Sequence, residues 1–136
     1  MFWSNWLDKP RLERANLDGS GRVAIVTDVG RVSGLTIDFD DQRLFWANID
    51  DKTIESSKLT GEDRRRVVET GLSNPFGLTQ YQDFIYWTDS KTWTIEKANK
   101  KNGQNRSVVQ DRIEFIMDVS IFHSSRQSGQ SIDLVH

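Results

Sequence analysis

Three tryptophans constrain this chain more than any other feature. Trp3, Trp46 and Trp87 stand 43 and 41 residues apart, each inside a short aromatic segment: Met1-Phe2-Trp3-Ser4-Asn5, Leu44-Phe45-Trp46-Ala47-Asn48 and Ile85-Tyr86-Trp87-Thr88-Asp89. Behind each tryptophan the same series follows. A glutamate comes after an aliphatic residue (Leu12-Glu13, Ile54-Glu55, Ile95-Glu96), then a turn glycine (Gly19, Gly61, Gly103), then an arginine (Arg22, Arg64, Arg106), the last two series each 42 residues apart. An aliphatic pair closes the unit: Ile25-Val26, Val67-Val68, Val108-Val109. Independent features that hold one period make the chain three copies of one supersecondary unit, each burying its apolar surface against its neighbours.

Within each unit the pattern is strand and turn. Residues 1–6, 11–17 and 22–27 read as strands, with a hairpin signal at Asp18-Gly19-Ser20-Gly21. The strand over 34–39 follows and turns into 44–49; the second unit repeats this with 53–59, 65–69, 77–81 and 84–88, and the third gives 94–98, 107–110 and 115–122. No segment carries a convincing helical period. Four strands in about 42 residues is the size of a propeller blade. A blade packs on both faces, which suits the unbroken apolar runs Leu44-Phe45-Trp46 and Ile85-Tyr86-Trp87; a half-solvated sheet would alternate more cleanly. The expected fold is all-β, a partial β-propeller of three four-strand blades, with repeats over about 1–43, 44–84 and 85–123 and a polar tail over 124–136 that frays.

Composition excludes several functions. With 36% hydrophobic residues and a net charge of -2, the chain shows no bias toward nucleic acid or membranes. It has no apolar run of the roughly eighteen residues needed to span a bilayer, and its start lacks the basic and apolar regions of a secretion signal. Arg64-Arg65-Arg66, beside Glu62 and Asp63, reads as a solvated blade edge. Cysteine is absent, which removes disulfides, thiolate metal sites and thiol catalysis. Asp38, Asp40, Asp41, Asp50 and Asp51 lack the calcium-loop spacing and read as turn residues, so no metal is expected. The two histidines, His123 and His136, are isolated, and no nucleophile with a base or phosphate loop is present. An enzyme is therefore not expected, although six-bladed hydrolases that hold a metal in the central channel exist; the inner strands offer only Asp38 and Asp118 for such a role. Asn105-Arg106-Ser107 matches the N-glycosylation acceptor pattern.

Tyr86-Trp87-Thr88-Asp89 is a full YWTD motif, and Phe2-Trp3-Ser4-Asn5 and Phe45-Trp46-Ala47-Asn48 are conservative variants of it. Over about residues 1–126 the chain resembles the YWTD, or low-density-lipoprotein-receptor class B, repeats. Within that group it resembles the third propeller of the Wnt co-receptors, through Asp41-Gln42-Arg43-Leu44, Ile54-Glu55-Ser56-Ser57, residues 74–81 and residues 122–127. The resemblance implies non-catalytic binding of Wnt ligands and secreted Wnt antagonists at the extracellular face of the plasma membrane, with no cofactor. Binding residues gather where loops leaving the tryptophan strands meet loops entering the inner strands. Trp6, Arg31, Asp50, Phe76 and Met117 match the family's contact positions, and Asn74 and Phe115 match with a changed residue type. Ser90 stands where the family usually carries a second tryptophan. A structural reading also exists, in which Phe76, Phe115 and Met117 cap the core.

Family propellers have six blades and this chain has three, and the cysteine-rich module that follows in the co-receptors is replaced by Ser128-Gly129-Gln130-Ser131. Bare blade faces at both ends of an arc invite association. Two copies could join head to tail, residues 117–122 of each completing the first blade of the other. The alternatives are a nidogen-like scaffold propeller and a truncated receptor copy without function of its own.

Overall fold

The computed structural model describes residues 1–6, 9–110 and 132–133, and these form antiparallel strands and turns with no helix. The first sheet holds β1 (Phe2–Asn5), β2 (Arg11–Arg14) and β3 (Val23–Thr27). The second runs in order through β4 (Val32–Asp38), β5 (Arg43–Asn48), β6 (Thr53–Lys58) and β7 (Arg65–Val68), and the third through β8 (Pro75–Tyr81), β9 (Phe84–Asp89), β10 (Thr94–Asn99) and β11 (Ser107–Gln110). Each is a meander in which sequential strands pair, and the three are the blades of a propeller arc. Blade 1 has three strands because no described strand lies on the inner edge of β1. The inner strand expected over 115–122 lies outside the described residues.

Two residues within the expected tail are described, and both pair with a sheet. β12 (Ile132–Asp133) pairs antiparallel with β4, Ile132 opposite Thr36 and Asp133 opposite Leu35, and so occupies the inner edge of blade 2. An open edge presents a row of unpaired backbone donors and acceptors, which any extended segment can satisfy regardless of side chain.

Period-two alternation explains the apolar runs. In β5, Leu44 and Trp46 enter the core between blades 1 and 2, with Leu12, Val26 and Leu35, while Phe45 and Ala47 enter the core between blades 2 and 3, with Ile85, Trp87 and Leu78. Each face of the strand is thus an inside, and every residue of β4 is buried. Trp46 and Trp87 are completely buried, as expected of residues that fill the space between blades. Trp3, on a face with no described blade beside it, is only partly buried.

A bulge in each outer strand couples one blade to the next. Leu12 pairs with Val26 and Glu13 with Ala24, leaving Ile25 as the extra residue; Val67 and Val109 are the extra residues of β7 and β11 by the same count. The bulge turns the carbonyl of Ile25 out of its ladder toward the hairpin glycine of blade 2. A Cβ on Gly61 would lie 1.8 Å from that oxygen, and a Cβ on Gly103 would lie 1.9 Å from the carbonyl oxygen of Val67. Both glycines also have positive φ, 92° and 71°, so only glycine meets both demands.

The repeated glutamate and arginine form a staple across the same boundary. Arg64 Nε donates to Glu55 Oε1 at 2.8 Å, its guanidinium carbon lies 5.8 Å from the Trp46 ring centre, and its remaining donors reach the carbonyls of Thr27 (3.0 Å) and Asp28 (3.1 Å) in blade 1. Arg106 repeats this with Glu96 (2.9 Å), the Trp87 ring (5.2 Å), and the carbonyls of Thr70 and Gly71 (both 2.7 Å). Arg64 is exposed, as expected of a blade-edge run, and also acts as an interblade strut; Arg65 pairs with Asp63 at 2.7 Å, and Arg66 is exposed.

Candidate protein-binding rim

The exits of β5 and β9 and the segments entering β4 and β8 lie at one end of their sheets. Antiparallel pairing requires it, since Val32 faces Asn48 and Pro75 faces Asp89. Two backbone bonds tie the loops together there: Ile49 N–H donates to the Arg31 carbonyl at 2.8 Å, and Ser90 N–H to the Asn74 carbonyl at 3.1 Å. Arg31, Asp50, Asn74 and Ser90 are thus brought to one rim.

Arg31 and Asp50 form a forked pair. Asp50 accepts from the Arg31 backbone N–H at 2.9 Å and from its Nε at 2.9 Å, with a second guanidinium nitrogen at 2.8 Å. The side chains remain 56% and 40% exposed, so the pair is presented to solvent in a set orientation. Hydrogen bonding from the Arg31 side chain, then from its backbone, lowers the Asp50 pKa, and Asp50 in turn raises that of Arg31. Gly30 permits the approach: its φ is 64°, and a Cβ there would meet Asn48 Oδ1 at 2.7 Å.

One blade on, a different residue builds the corresponding loop. Asp89 is buried, and burial opposes its ionisation. Backbone N–H groups of Ser73 (2.9 Å), Asn74 (3.1 Å), Lys91 (3.0 Å) and Thr92 (3.3 Å) outweigh that cost and hold its pKa below the ordinary value. Asn48 caps the Asp51 N–H at 3.0 Å and, as an amide, also donates to Asp51 and Glu55. Asn5 spends its amide on Glu13 at 3.4 Å. The Asn74 side-chain amide donates to Ser90 Oγ.

Trp6 is 37% exposed just beyond β1, and Phe76 is half-buried beside the bulge at the start of β8. Phe115 and Met117 lie outside the described residues. Asn105 sits exposed with φ 55° in the hairpin between β10 and β11, away from this rim. Trp93, 47% exposed, occupies a turn with φ 60°.

At the opposite end of the sheets is a feature that no local pattern announced. Lys100 Nζ bonds Asp38 Oδ2 at 2.6 Å and lies 3.3 Å from Asp41, beside a cavity of about 380 Å³ lined also by Arg43, Asp63 and Arg65. Asp38, the inner-strand acid with a conceivable catalytic role, is therefore buried and neutralised by a lysine, and also accepts the N–H groups of Asp40 (3.1 Å) and Asp41 (3.2 Å). Among the described residues no group of three histidine, cysteine or carboxylate side chains is placed to hold a metal. No helix among them is long and apolar enough to cross a membrane.

Similar proteins agree with this geometry. The chain is 49% identical over 131 residues to low-density lipoprotein receptor-related protein 5 of Mus musculus, and 48% identical over the same length to the protein of that name in Homo sapiens. It is a YWTD-repeat β-propeller chain. The aligned residues are 96% of this chain and 8% of each of those relatives, so the chain spans a small part of the proteins it matches. A solved structure described as a nidogen/laminin complex matches these YWTD blades with a TM-score of 0.73 at 30% identity, over 81% of this chain and 43% of that one. A search of family models found no match.

Proposed function

We propose that this chain is a non-catalytic protein-binding arc of a Wnt co-receptor-like ectodomain. Through the rim carrying Trp6, Arg31, Asp50, Asn74 and Phe76, with Phe115 and Met117 added by sequence resemblance, it binds Wnt proteins or their secreted antagonists at the cell exterior. The observation that carries this reading is the 49% identity to receptor-related protein 5 along nearly the whole chain. The rim has the chemistry such contacts use: aromatic area that can be desolvated, beside a charge pair whose orientation is set before a ligand arrives. Asn105, exposed in a hairpin, is the expected glycan site in the secretory route.

The test is binding of the immobilised chain to a purified secreted Wnt antagonist, with Trp6→Ala and Phe76→Ala beside the parent. Each substitution is expected to weaken binding about thirtyfold, the effect of losing a hot-spot residue of about 2 kcal/mol. A folded parent chain that captures neither Wnt nor antagonist overturns the reading. The nidogen match supports a second, structural reading, that of an extracellular scaffold, and laminin in the same assay distinguishes it.

A further inference from the structure

Five cationic side chains, Arg43, Lys58, Arg65, Lys100 and Lys101, line the cavity between blades 2 and 3. Strand pairing builds one wall. Arg43 stands opposite Lys58, and Ser56 is flanked by Phe45 and Arg65, so alternation puts all of them on the face of blade 2 that buries Phe45 against blade 3. The hairpin between β10 and β11 supplies Lys100 and Lys101 from the other side.

Blade construction does not call for these charges. Counted from the tryptophan, glutamate and arginine of each unit, Arg43 corresponds to Phe84, Lys58 to Asn16 and Asn99, and Arg65 to Val23 and Ser107. The residue four places after the glutamate is Leu17 or Leu59 in the first two units and Lys100 in the third, whose turn is one residue longer and adds Lys101. Like charges directly opposite each other weaken a sheet, so Arg43 across from Lys58 is a placement that the fold alone disfavours. Nor do the nearby carboxylates absorb the charge. Asp63 serves both Arg43 (3.0 Å) and Arg65 (2.7 Å), Asp38 and Asp41 are taken by Lys100, and among the described residues the Nζ atoms of Lys58 and Lys101 have no hydrogen-bond or ion-pair partner.

We propose that this cavity binds the sulfate groups of a sulfated polysaccharide, with Lys58, Lys101 and Arg65 in contact with the anions. Ammonium groups and guanidinium forks hold oxyanions through short charge-assisted hydrogen bonds. Those three side chains are exposed, whereas Arg43 and Lys100 are largely buried and form the floor. At about 380 Å³ the cavity is of the size small ligands and single sugar units occupy. Its one aromatic, Phe45, is buried, which leaves no ring on which a nucleobase could stack. The choice of sulfate over phosphate rests on the proposed placement at the cell exterior, where sulfated sugars are the abundant polyanions; the anion site itself does not, and it lies at the sheet end opposite the rim.

The test is binding of the full 136-residue chain to an immobilised heparin oligosaccharide at about 0.15 M salt, where loose surface attraction is screened. The parent should bind, and fully desulfated heparin should not be bound. Lys58→Gln together with Lys101→Gln should weaken binding at least about tenfold, with circular dichroism and melting unchanged because both side chains are exposed. Lys52→Gln together with Lys91→Gln removes the same charge from the rim end and should leave binding within about twofold of the parent. Antagonist binding is read in a separate assay, so failure there and failure here are told apart. A folded parent that ignores heparin overturns the proposal, as do equal losses in the two double variants, equal binding of the desulfated polymer, or tighter binding of a single-stranded oligonucleotide of equal charge.

Discussion

Lys100 Nζ bonds Asp38 Oδ2 at 2.6 Å across the boundary between blades 2 and 3, with both side chains less than 10% exposed. Burial works against the lysine's charge, but the carboxylates of Asp38 and then Asp41 more than restore it, and the Lys100 pKa is raised above 10.5. Removing one partner of such a pair strands the other charge away from water. Lys100→Met is therefore expected to cost about 3–5 kcal/mol in urea unfolding, and pairing it with Asp38→Leu should recover much of the loss. Because the folded pKa is raised, the lysine's contribution is complete below 10.5 and fades only as pH climbs beyond it.

Glu13 sets an acid limit on blade 1. Its pKa falls from 4.5 to about 2, chiefly through the Arg22 hydrogen bond, against the cost of burial and with help from Arg11 and Asn5. A depressed carboxylate pKa stabilises the fold above 4.5 and loses that contribution as pH drops toward 2. Melting temperature should decline through this window in the parent chain and decline less in Glu13→Gln, which starts lower. Equal slopes in the two proteins would contradict the assignment.

Equivalent hairpin glycines should respond unequally to alanine. At Gly61 the new methyl meets the Ile25 carbonyl and the backbone is left-handed, so loss of about 3 kcal/mol or more is expected. At Gly19 only the backbone strain of about 1–2 kcal/mol applies. Chemical denaturation of both variants in dilute solution reads the difference.

The rim pair separates binding from folding. Arg31→Glu places two carboxylates side by side on an exposed loop, where solvent screens them, so the melting temperature should hardly move. Antagonist binding should nonetheless fall by an order of magnitude or more, most visibly in the association rate at low salt. Equal binding by parent and variant would remove Arg31 from the proposed contact.

Much of this architecture is legible along the chain because its parts are local. Strand-turn rhythm and a 42-residue period identify the blades, and the tryptophans of β5 and β9 are buried as their recurrence required. The rim could also be placed, since antiparallel pairing sends an exit and the neighbouring inward segment to the same sheet end. Arg64 was harder to read: inside a run of three arginines it looks like a charged edge, and only its 42-residue relation to Arg22 and Arg106 hints at the strut it forms. Nothing local marks Lys100 as the partner of Asp38, because 62 residues separate them, the aspartate closing β4 and the lysine standing in a turn.

Sequence alone determined the unit, its repetition and the residue types at each blade boundary, since these follow from side-chain period and turn chemistry within a few residues of one another. Only the tertiary structure decided which boundary sets are occupied. Trp46 with Arg64 and Trp87 with Arg106 are closed over by a neighbouring blade, while among the described residues none closes over Trp3 with Arg22 in that way. Identical motifs differ in this way because burial depends on what is stacked beside a sheet, and the strand itself carries no record of its neighbour.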